Sequence, residues 1–380
     1  MDNRKKKLAI VGAGNAGCLT AISAYLRYSD QLDKITIYHD PETPIERTGQ
    51  GTQVPPSQLI NEFFCLNFVD SNKIKSTRKE GIMYENWGKL GKNIFHPFPQ
   101  SQTAIHYVPH LLSQETLNSG VFNVVESSIS DLESEIDADF IIDCRGRNNR
   151  DKSLYASLIN PLNSVLISQE KEVQSNLFYT RCVATPDGWT FVIPNIDSTS
   201  YGYIYNNQIT SKEEASSNFK TMFGIESDML SLNFENYIAK NCFHGERVAL
   251  NGNRLCFLEP LEATSTSFYL DVAEVIFRHF LFGADKDLCN ISILKQMEKL
   301  QNFVLWHYQF GSKFDTLFWK YAKSLPFDPD PLFYDTLNYG EKNLSNDEFV
   351  RFFAKTKSSL HYGQWAPLSF KIWAEGVGTS

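Results

Sequence analysis

Residues 8–17 read Leu8-Ala9-Ile10-Val11-Gly12-Ala13-Gly14-Asn15-Ala16-Gly17, and a helical pattern continues from there to about residue 28. The apolar run predicts a buried parallel strand, and the glycines follow it at the spacing of a strand–turn–helix unit. In such a unit the first glycine permits the tight turn, the second lets a pyrophosphate approach the backbone, and the third lets the helix pack on the strand. The segment therefore predicts a Rossmann-like dinucleotide site whose contacts are Gly12, Gly14, Asn15, Ala16 and Gly17.

The second strand of this unit is predicted at residues 34–38, and it is followed by His39 and Asp40. An acidic residue at this strand end usually binds the ribose hydroxyls of the dinucleotide. His39 stands at the expected position and Asp40 follows one residue later, so either residue is a candidate ribose contact. The alternative, that both side chains only solvate the strand end, agrees equally well with the sequence.

Later segments extend this sheet and add a second one. Residues 139–144 form another apolar strand before Gly146, and we place it in the same sheet as the first strand, which makes the nucleotide-binding part discontinuous in sequence. Alternating β-rich segments predict an antiparallel sheet on the substrate side, at residues 178–183, 190–193 and 201–205. The remaining predictions are helices at 57–64, 211–223 and 267–282, helical segments separated by aromatic turns at 291–322, and a tryptophan-containing core in the C-terminal part.

Composition excludes several classes of protein. The chain has 380 residues and a net charge of −8, so it lacks the positive charge that phosphate contacts with nucleic acid require. Its basic start runs straight into a strand without the apolar core of a signal peptide, and no apolar run has the length of a membrane span. Seven scattered cysteines without a CxxC pair predict buried, reduced thiols and no metal site. We therefore expect a cytoplasmic protein without a membrane or nucleic-acid partner.

Two carboxylates lie three residues apart in Phe257-Leu258-Glu259-Pro260-Leu261-Glu262-Ala263-Thr264-Ser265. The simplest interpretation is that they interact with the positive end of the helix that follows. The hydroxyls of Thr264, Ser265 and Thr266 are predicted to cap this helix, which we expect to start near Ser267. A catalytic role for these carboxylates needs support from the rest of the chain.

Four segments together resemble the flavin-dependent tryptophan halogenases, and the likeness extends from residue 1 to about residue 320. They are the glycine turn at residues 12–17, the segment 188–194, the strand Gly202-Tyr203-Ile204-Tyr205, and residues 257–264. Segment 188–194 is similar to the family's WxWxIP motif, with Phe191 in place of the second tryptophan. Residues 257–264 are similar to the family's FLEPLEST motif.

This resemblance implies a mixed α/β (α+β) fold, as in flavin monooxygenases: a Rossmann-like FAD-binding domain, an antiparallel-sheet substrate region and a helical C-terminal part. Residues 1–380 would form a single unit. Its FAD-binding part would comprise about 1–70, 136–160 and 245–285, and its substrate part about 71–135, 161–244 and 286–380. The FAD contacts implied beyond the glycine turn are His39, Gly51, Thr52 and Leu258.

The resemblance also implies an FADH2-dependent halogenase. Lys79 lies eight residues before Trp87, which is the spacing of the family's catalytic lysine, and Glu262 matches the family's catalytic glutamate. Reduced FAD, O2 and halide would give hypohalous acid, and the lysine would deliver the halogen to an electron-rich aromatic ring of indole or phenol type. The residue types suit this chemistry, because a neutral amine can be halogenated and a buried carboxylate stabilises developing positive charge.

Halide and substrate contacts follow from the same motifs. Thr264 and Ser265 are the implied halide-binding residues, although Ala263 and Ser265 differ from the family's residues at these positions and leave the preferred halide open. The implied substrate contacts are His96, Phe98, Trp189 and Phe191. Only a short link separates Trp87 from Phe95 where the family has a long insertion, so we expect a more open site and do not assume that free tryptophan is the substrate.

Two other interpretations remain open at this point. A flavin-dependent aromatic monooxygenase would hydroxylate its substrate directly, and a flavin-binding protein without halogenation activity would act as a scaffold or sensor. The sequence shows no NAD(P)H site, which predicts a separate flavin reductase as a partner. It leaves open the substrate, the halide, and the oligomeric state, including a homodimer.

Overall fold

The computed structural model of the protein describes residues 4–66, 73–98, 103–148, 150–172, 177–343 and 361–378. The chain divides into two compact units. The first unit comprises Met1–Arg78, Ala104–Leu158 and Asn236–Lys295. The second unit comprises Lys79–Thr103, Ile159–Glu235 and Gln296–Ser380.

A six-stranded sheet forms the centre of the first unit. From edge to edge its strands are β17 (Phe243–His244), β18 (Val248–Leu250), β9 (Phe140–Asp143), β1 (Lys6–Val11), β2 (Leu32–His39) and β8 (Asn123–Glu126). All neighbours pair in parallel except β17 and β18. Val11 pairs with Asp143, so Gly12 and Cys144 follow at the same carboxyl edge of the sheet. This is the edge at which open parallel sheets bind nucleotides. The prediction that β9 belongs to the same sheet as β1 is confirmed, and the two strands are direct neighbours.

Smaller sheets and helices complete the first unit. Two three-stranded sheets comprise β3 (Gln50–Gly51), β7 (Ala104–Tyr107) and β4 (Thr77–Lys79), and β10 (Tyr155–Ser157), β16 (Tyr237–Ala239) and β19 (Cys256–Phe257). The helices are α1 (Asn15–Tyr28), α2 (Val54–Phe64), α3 (Pro109–Leu117), α4 (Leu132–Glu135), α6 (Ser265–Phe282) and the first part of α7 (Lys286–Phe310), with 3-10 turns at Lys152–Leu154 and Gly252–Arg254. Helix α1 packs against α2, α3 and α6, which covers the buried face that follows the glycine turn.

Residues 104–135, which the sequence assigns to the substrate part, lie in the first compact unit. The physical reason is strand pairing, because β7 bonds to β3 and β8 bonds to the edge of the central sheet at β2. The wider division into FAD-binding and substrate parts stays a prediction.

The second unit is built on a seven-stranded sheet. From edge to edge its strands are β15 (Leu230–Asn233), β11 (Ser164–Glu170), β14 (Thr199–Tyr205), β13 (Gly188–Pro194), β12 (Thr180–Thr185), β5 (Gly81–Glu85) and β6 (Ile94–Pro97). Pairing is antiparallel except between β12 and β5, which confirms the predicted antiparallel sheet. One face is covered by α5 (Lys212–Phe223), and the unit also contains the rest of α7 with α8 (Leu317–Lys323), α9 (Pro331–Asn343) and α10 (Pro367–Val377).

Three local predictions need correction or comment. Residues 286–310 form one helix where shorter helices with aromatic turns were expected, because aromatic side chains of this stretch, such as Phe303 and Trp306, pack together along its length. The C-terminal tryptophans are core residues as predicted, since Trp306, Trp319, Trp365 and Trp373 are all buried. Cys65 is exposed, unlike the other six cysteines, because it ends α2 in a left-handed turn.

Two features are absent from the described ranges. No helix there combines the length and the hydropathy that crossing a membrane requires. In the same parts of the chain, no group of three or more His, Cys, Asp or Glu side chains is arranged to hold a metal ion.

Candidate active site

The glycine turn joins β1 to α1 in the geometry that its sequence requires. Gly12 has φ +107° and donates its N–H to the Tyr38 carbonyl at 2.8 Å. A methyl group on Gly17 would lie 1.8 Å from the Gly12 carbonyl oxygen, so only glycine lets the helix pack this closely on the turn. A methyl group on Gly14 would meet nothing within 4 Å. Open space therefore lies over Gly14, at the start of a helix whose cap residue makes no side-chain hydrogen bond, and this arrangement fits a diphosphate.

A buried tyrosine orients the side chain of Asn15 in this turn. The Tyr107 hydroxyl donates to Asn15 Oδ1 at 2.9 Å. Burial raises the pKa of the Tyr107 hydroxyl well above its ordinary value, so the group stays protonated and acts as a donor. Because the amide oxygen of Asn15 accepts this bond, its NH2 group is turned toward other acceptors.

The end of β2 and the Gly51–Thr52 segment lie in the same unit. His39 is the last residue of β2, and its Nε2 lies 3.9 Å from the Glu126 carboxylate of β8. Asp40 follows the strand and accepts a bond from the Glu42 N–H at 2.9 Å. The Thr52 hydroxyl is buried and bonds to both backbone groups of Ile105, which fixes this loop to β7.

The carboxylate-rich loop makes a strained turn before α6. Ala263 has φ +52° and donates its N–H to the Pro260 carbonyl at 3.0 Å. Left-handed backbone at a residue other than glycine costs free energy and is concentrated at functional sites. Glu259 and Glu262 are both buried, and Leu258 is buried beside them in sequence. Gln53 Nε2 donates to the Glu262 carbonyl at 3.2 Å, which ties this turn to the segment that follows Thr52.

The predicted capping of this helix is wrong in detail. Helix α6 starts at Ser265, and its cap residue Thr264 makes no side-chain capping bond because its backbone is already helical. The Thr266 and Ser267 hydroxyls are buried and find no hydrogen-bond partner within the described part of the chain. Buried hydroxyls at an uncapped helix start are donors that suit a small anion.

Lys79 is the last residue of a basic run that comprises Lys73, Lys75, Arg78 and Lys79, and it is fully buried. Its Nζ lies 5.2 Å from the centroid of the Phe98 ring, within the range of a cation–π contact. The Phe98 N–H donates to the Glu80 carbonyl at 2.6 Å, which holds the aromatic residue beside the lysine. The neighbouring Arg78 is exposed, so burial distinguishes Lys79 from that neighbour in the basic run.

His96 lies on β6, opposite Ile82 of β5. Its Nε2 lies 3.0 Å from the Ser369 hydroxyl of α10. Pro97 ends the strand, and β6 is an edge strand, which is the position where a sheet tolerates proline.

Trp189 and Phe191 project from the same face of β13, because side chains two residues apart in a strand share a face. Their rings meet edge to face with centroids 6.4 Å apart. The Phe191 ring lies directly over Gly202 on β14, where an added methyl group would come within 2.1 Å of two ring carbons. Gly202 therefore determines where the ring of Phe191 lies.

Gly202→Ala is expected to destabilise the protein by about 1–3 kcal/mol, because the new methyl group overpacks against the ring. The measurement is urea unfolding of Gly202→Ala, Phe191→Ala and the double variant. If the ring causes the clash, the double variant will be more stable than the sum of the single effects implies. Strictly additive effects would contradict this assignment.

The structure assigns the predicted residues to two groups. The first unit contains the predicted FAD contacts, the predicted catalytic glutamate and the predicted halide contacts, which are Gly12, Gly14, Asn15, Ala16, Gly17, His39, Gly51, Thr52, Leu258, Glu262, Thr264 and Ser265. The second unit contains the predicted catalytic lysine and the predicted substrate contacts, which are Lys79, His96, Phe98, Trp189 and Phe191. Sequence reasoning missed Tyr107 and Gln53, which reach the site residues through contacts between distant segments. It also treated the Thr266 hydroxyl only as a helix cap, although the run of hydroxyls was the available sequence signal for an anion site.

Comparison with known proteins places this geometry in a family. The sequence profile described as "Tryptophan halogenase" matches residues 7–116 and 115–357. Tryptophan 6-halogenase ThaL of Streptomyces albogriseolus is 28% identical over 153 residues, which cover 39% of this chain and 29% of the relative. Tryptophan 7-halogenase RebH of Lentzea aerocolonigenes is 25% identical over 209 residues, which cover 50% of this chain and 39% of the relative. These matches span less than half the length of either relative.

A solved structure extends the likeness to the whole fold. The thermophilic tryptophan halogenase Th-Hal from Streptomycin violaceusniger superposes with a TM-score of 0.80 at 18% identity, covering 98% of this chain and 92% of that one. The fold is therefore the mixed α/β fold of the flavin-dependent halogenases, with its Rossmann-like part as predicted. Because the family profile matches most of the sequence, the chain belongs to the tryptophan halogenase family.

Proposed function

We propose that the protein is an FADH2-dependent halogenase that uses O2 and halide to halogenate an electron-rich aromatic compound of indole or phenol type. The observation that carries the proposal is Lys79, a lysine buried beside an aromatic ring in a chain of this family. A buried lysine is rare unless its amine has a specific role.

FAD is proposed to bind across the glycine turn. Gly12, Gly14, Asn15, Ala16 and Gly17 would hold its diphosphate, with His39, Gly51, Thr52 and Leu258 as further contacts. The open space over Gly14 and the uncapped start of α1 support this assignment. When bound, reduced FAD supplies the chemistry that converts O2 and halide into an electrophilic halogen species.

Lys79 is proposed to deliver the halogen to the substrate. Its amine can accept the halogen from hypohalous acid or donate a hydrogen bond to that acid. The contact with Phe98 and the surrounding burial keep the amine away from bulk water, which would otherwise compete for the oxidant.

Glu262 is proposed to stabilise the positive charge that develops on the aromatic ring and to take up the proton that the ring then loses. Its burial supports this role, because a carboxylate acts more strongly on a nearby charge where water is excluded. Halide is proposed to bind at the start of α6, near Thr264 and Ser265, and the buried hydroxyls of Thr266 and Ser267 extend this assignment.

The substrate contacts proposed are His96, Phe98, Trp189 and Phe191. Relatives of this chain include proteins named as tryptophan halogenases, which supports an indole ring as the acceptor. The short link between β5 and β6 supports a site that admits compounds other than free tryptophan. A separate flavin reductase is proposed to supply reduced flavin, either in a transient complex or through free flavin.

Glu262→Gln is expected to lower the halogenation rate about 10²-fold, because the amide keeps the size of the side chain and loses its charge. The measurement is the rate at saturating FADH2, together with FAD affinity by fluorescence titration. Glu246→Gln is the matched control, since the carboxylate of Glu246 is 95% exposed. An unchanged rate in Glu262→Gln would remove Glu262 from the mechanism.

Product analysis tests the proposed function as a whole. The protein would be mixed with FAD, a flavin reductase, NADH and O2, with chloride, bromide or iodide in turn, and offered a panel of indoles and phenols. Halogenated products detected by mass spectrometry would support the proposal. Hydroxylated products without halogen would favour the flavin-dependent monooxygenase, and flavin binding without any product across the panel would favour the scaffold or sensor interpretation.

A further inference from the structure

Phe191 lies on one face of the seven-stranded sheet, and apolar residues continue along this face to the edge strand β15. In the pairing register, Phe191 lies opposite Gly202, Gly202 opposite Ile167, and Ile167 opposite Leu230. Side chains opposite each other in a sheet share a face, and neighbouring strands lie about 4.8 Å apart. The row from Phe191 to Leu230 therefore crosses four strands and spans roughly 14 Å.

A second row runs beside the first. It comprises Trp189, Ile204, Val165 and Leu232. The leucines at the edge are the most exposed members of the two rows. Leu232 and Leu230 are 36% and 57% exposed, whereas Trp189 and Ile204 of the second row are buried. We call Phe191, Val165, Ile167, Leu230 and Leu232 the apolar strip.

The strip ends at an open strand edge. Strand β15 has β11 as its neighbour on one side, and no strand in the described ranges pairs with the other side. The Phe234 N–H bonds to the Asn163 carbonyl, so by antiparallel alternation the peptide groups of Ser231 and Asn233 point away from β11. An exposed edge with two leucines on one face is a template for another strand, and proteins usually cover such edges.

Acidic side chains surround this edge and restrict what covers it. Glu226, Asp228 and Glu235 are exposed on the segments that flank β15, and Glu172 is exposed beyond the end of β11, next to Lys171. The nearby Glu170 accepts bonds from the Ser168 and Ser227 hydroxyls. A second copy of this edge would bring carboxylates against carboxylates, whereas a basic segment would be attracted.

We propose that β15 and the apolar strip bind an extended polypeptide segment with alternating apolar and basic residues, which adds to the sheet as a further strand and carries the aromatic substrate. Main-chain bonds to Ser231 and Asn233 give affinity, and apolar side chains packing on Leu230 and Leu232 give specificity. An added strand would lie roughly 19 Å from Phe191, beyond the reach of its own side chains. The aromatic side chain therefore comes from the part of the same polypeptide that continues from the docked strand across the strip, about six residues farther along. The substrate class is an aromatic side chain within a polypeptide. This inference rests on the proposed function.

The test uses the full-length protein and a labelled synthetic peptide of alternating valine and lysine, followed by a glycine–serine spacer of about six residues and one tryptophan. Binding is measured by fluorescence anisotropy without cofactors, and halogenation is measured separately for the peptide and for free indole. Ser231→Pro removes the outward N–H, Ser231→Ala keeps it, and Leu230→Ser tests the strip independently. A glutamate-for-lysine peptide is the charge control.

We expect Ser231→Pro and Leu230→Ser each to weaken peptide binding and peptide halogenation by about tenfold or more, a difference equal to ~1.4 kcal/mol. Ser231→Ala and the halogenation of free indole should be unchanged. Failure of the peptide to bind, equal binding by all variants, or halogenation of free indole but not of the bound peptide would overturn the proposal. So would a dimer that Ser231→Pro converts to a monomer, since the occupant would then be a second copy. If the wild-type protein halogenates neither compound, the proposed function fails, and anisotropy still reports on docking.

Discussion

Lys79→Met should lower the halogenation rate by about 10²–10⁴-fold, the range expected when a group that takes part in the chemical step is removed. Methionine retains the length of the side chain and its contact with Phe98, and it removes only the amine. FAD affinity should be unchanged, because Lys79 is not among the proposed flavin contacts. The measurements are product formation by mass spectrometry and FAD binding by fluorescence.

Arg78→Ala provides the matched control for this variant. Arg78 precedes Lys79 on β4 and is exposed, so its loss should change the rate less than twofold, an effect typical of surface substitutions. Equal losses in both variants would mean that local charge on β4, and not the buried amine, supports the reaction. Halogenation at the wild-type rate in Lys79→Met would remove this residue from the mechanism.

Substitutions in the glycine turn are expected to have the second large effect, on FAD binding or on folding. Gly14 and Gly17 are needed for different reasons. Gly14→Ala should leave the fold intact, because the added methyl group meets no protein atom within 4 Å and φ −73° suits alanine. It should weaken FAD binding by roughly tenfold or more, since the methyl group occupies the space proposed for the diphosphate. Gly17→Ala should instead prevent folding of the first unit, because its methyl group would lie 1.8 Å from the Gly12 carbonyl oxygen.

Thermal unfolding and FAD titration separate these two effects. Gly14→Ala should show the wild-type unfolding temperature and a raised Kd for FAD, whereas Gly17→Ala should yield little folded protein. Wild-type FAD affinity in Gly14→Ala would place the diphosphate elsewhere. Normal folding of Gly17→Ala would mean that the turn relaxes away from its close contact with the helix.

Features that depend on local sequence could be predicted. The apolar run before Gly12 specifies a buried strand and the glycine spacing specifies the turn, so β1, the turn and α1 followed directly. The alternating pattern around Phe191 specified the antiparallel sheet in the same way. Lys79 could be found only through the resemblance, because composition and periodicity describe it as part of a basic run.

Features that depend on contacts between distant segments could not be predicted. The bond from Tyr107 to Asn15 joins residues 92 positions apart, and the bond from Gln53 to Glu262 joins residues 209 positions apart. The placement of β8 in the first sheet depends on pairing with β2, for which its short sequence gives no signal. The start of α6 was misplaced because Ala263 takes up the left-handed turn, a conformation that sequence patterns assign to glycine.

The central claim is that a buried lysine directs halogen to an aromatic ring. Its most direct test is bromide incorporation into indole, with chemically reduced FAD and O2, by wild-type protein and by Lys79→Met side by side. The account predicts bromoindole from the wild-type protein and a loss of at least about 10²-fold in the variant. Bromoindole formed equally by both proteins, or hydroxyindole as the main product of both, would contradict it.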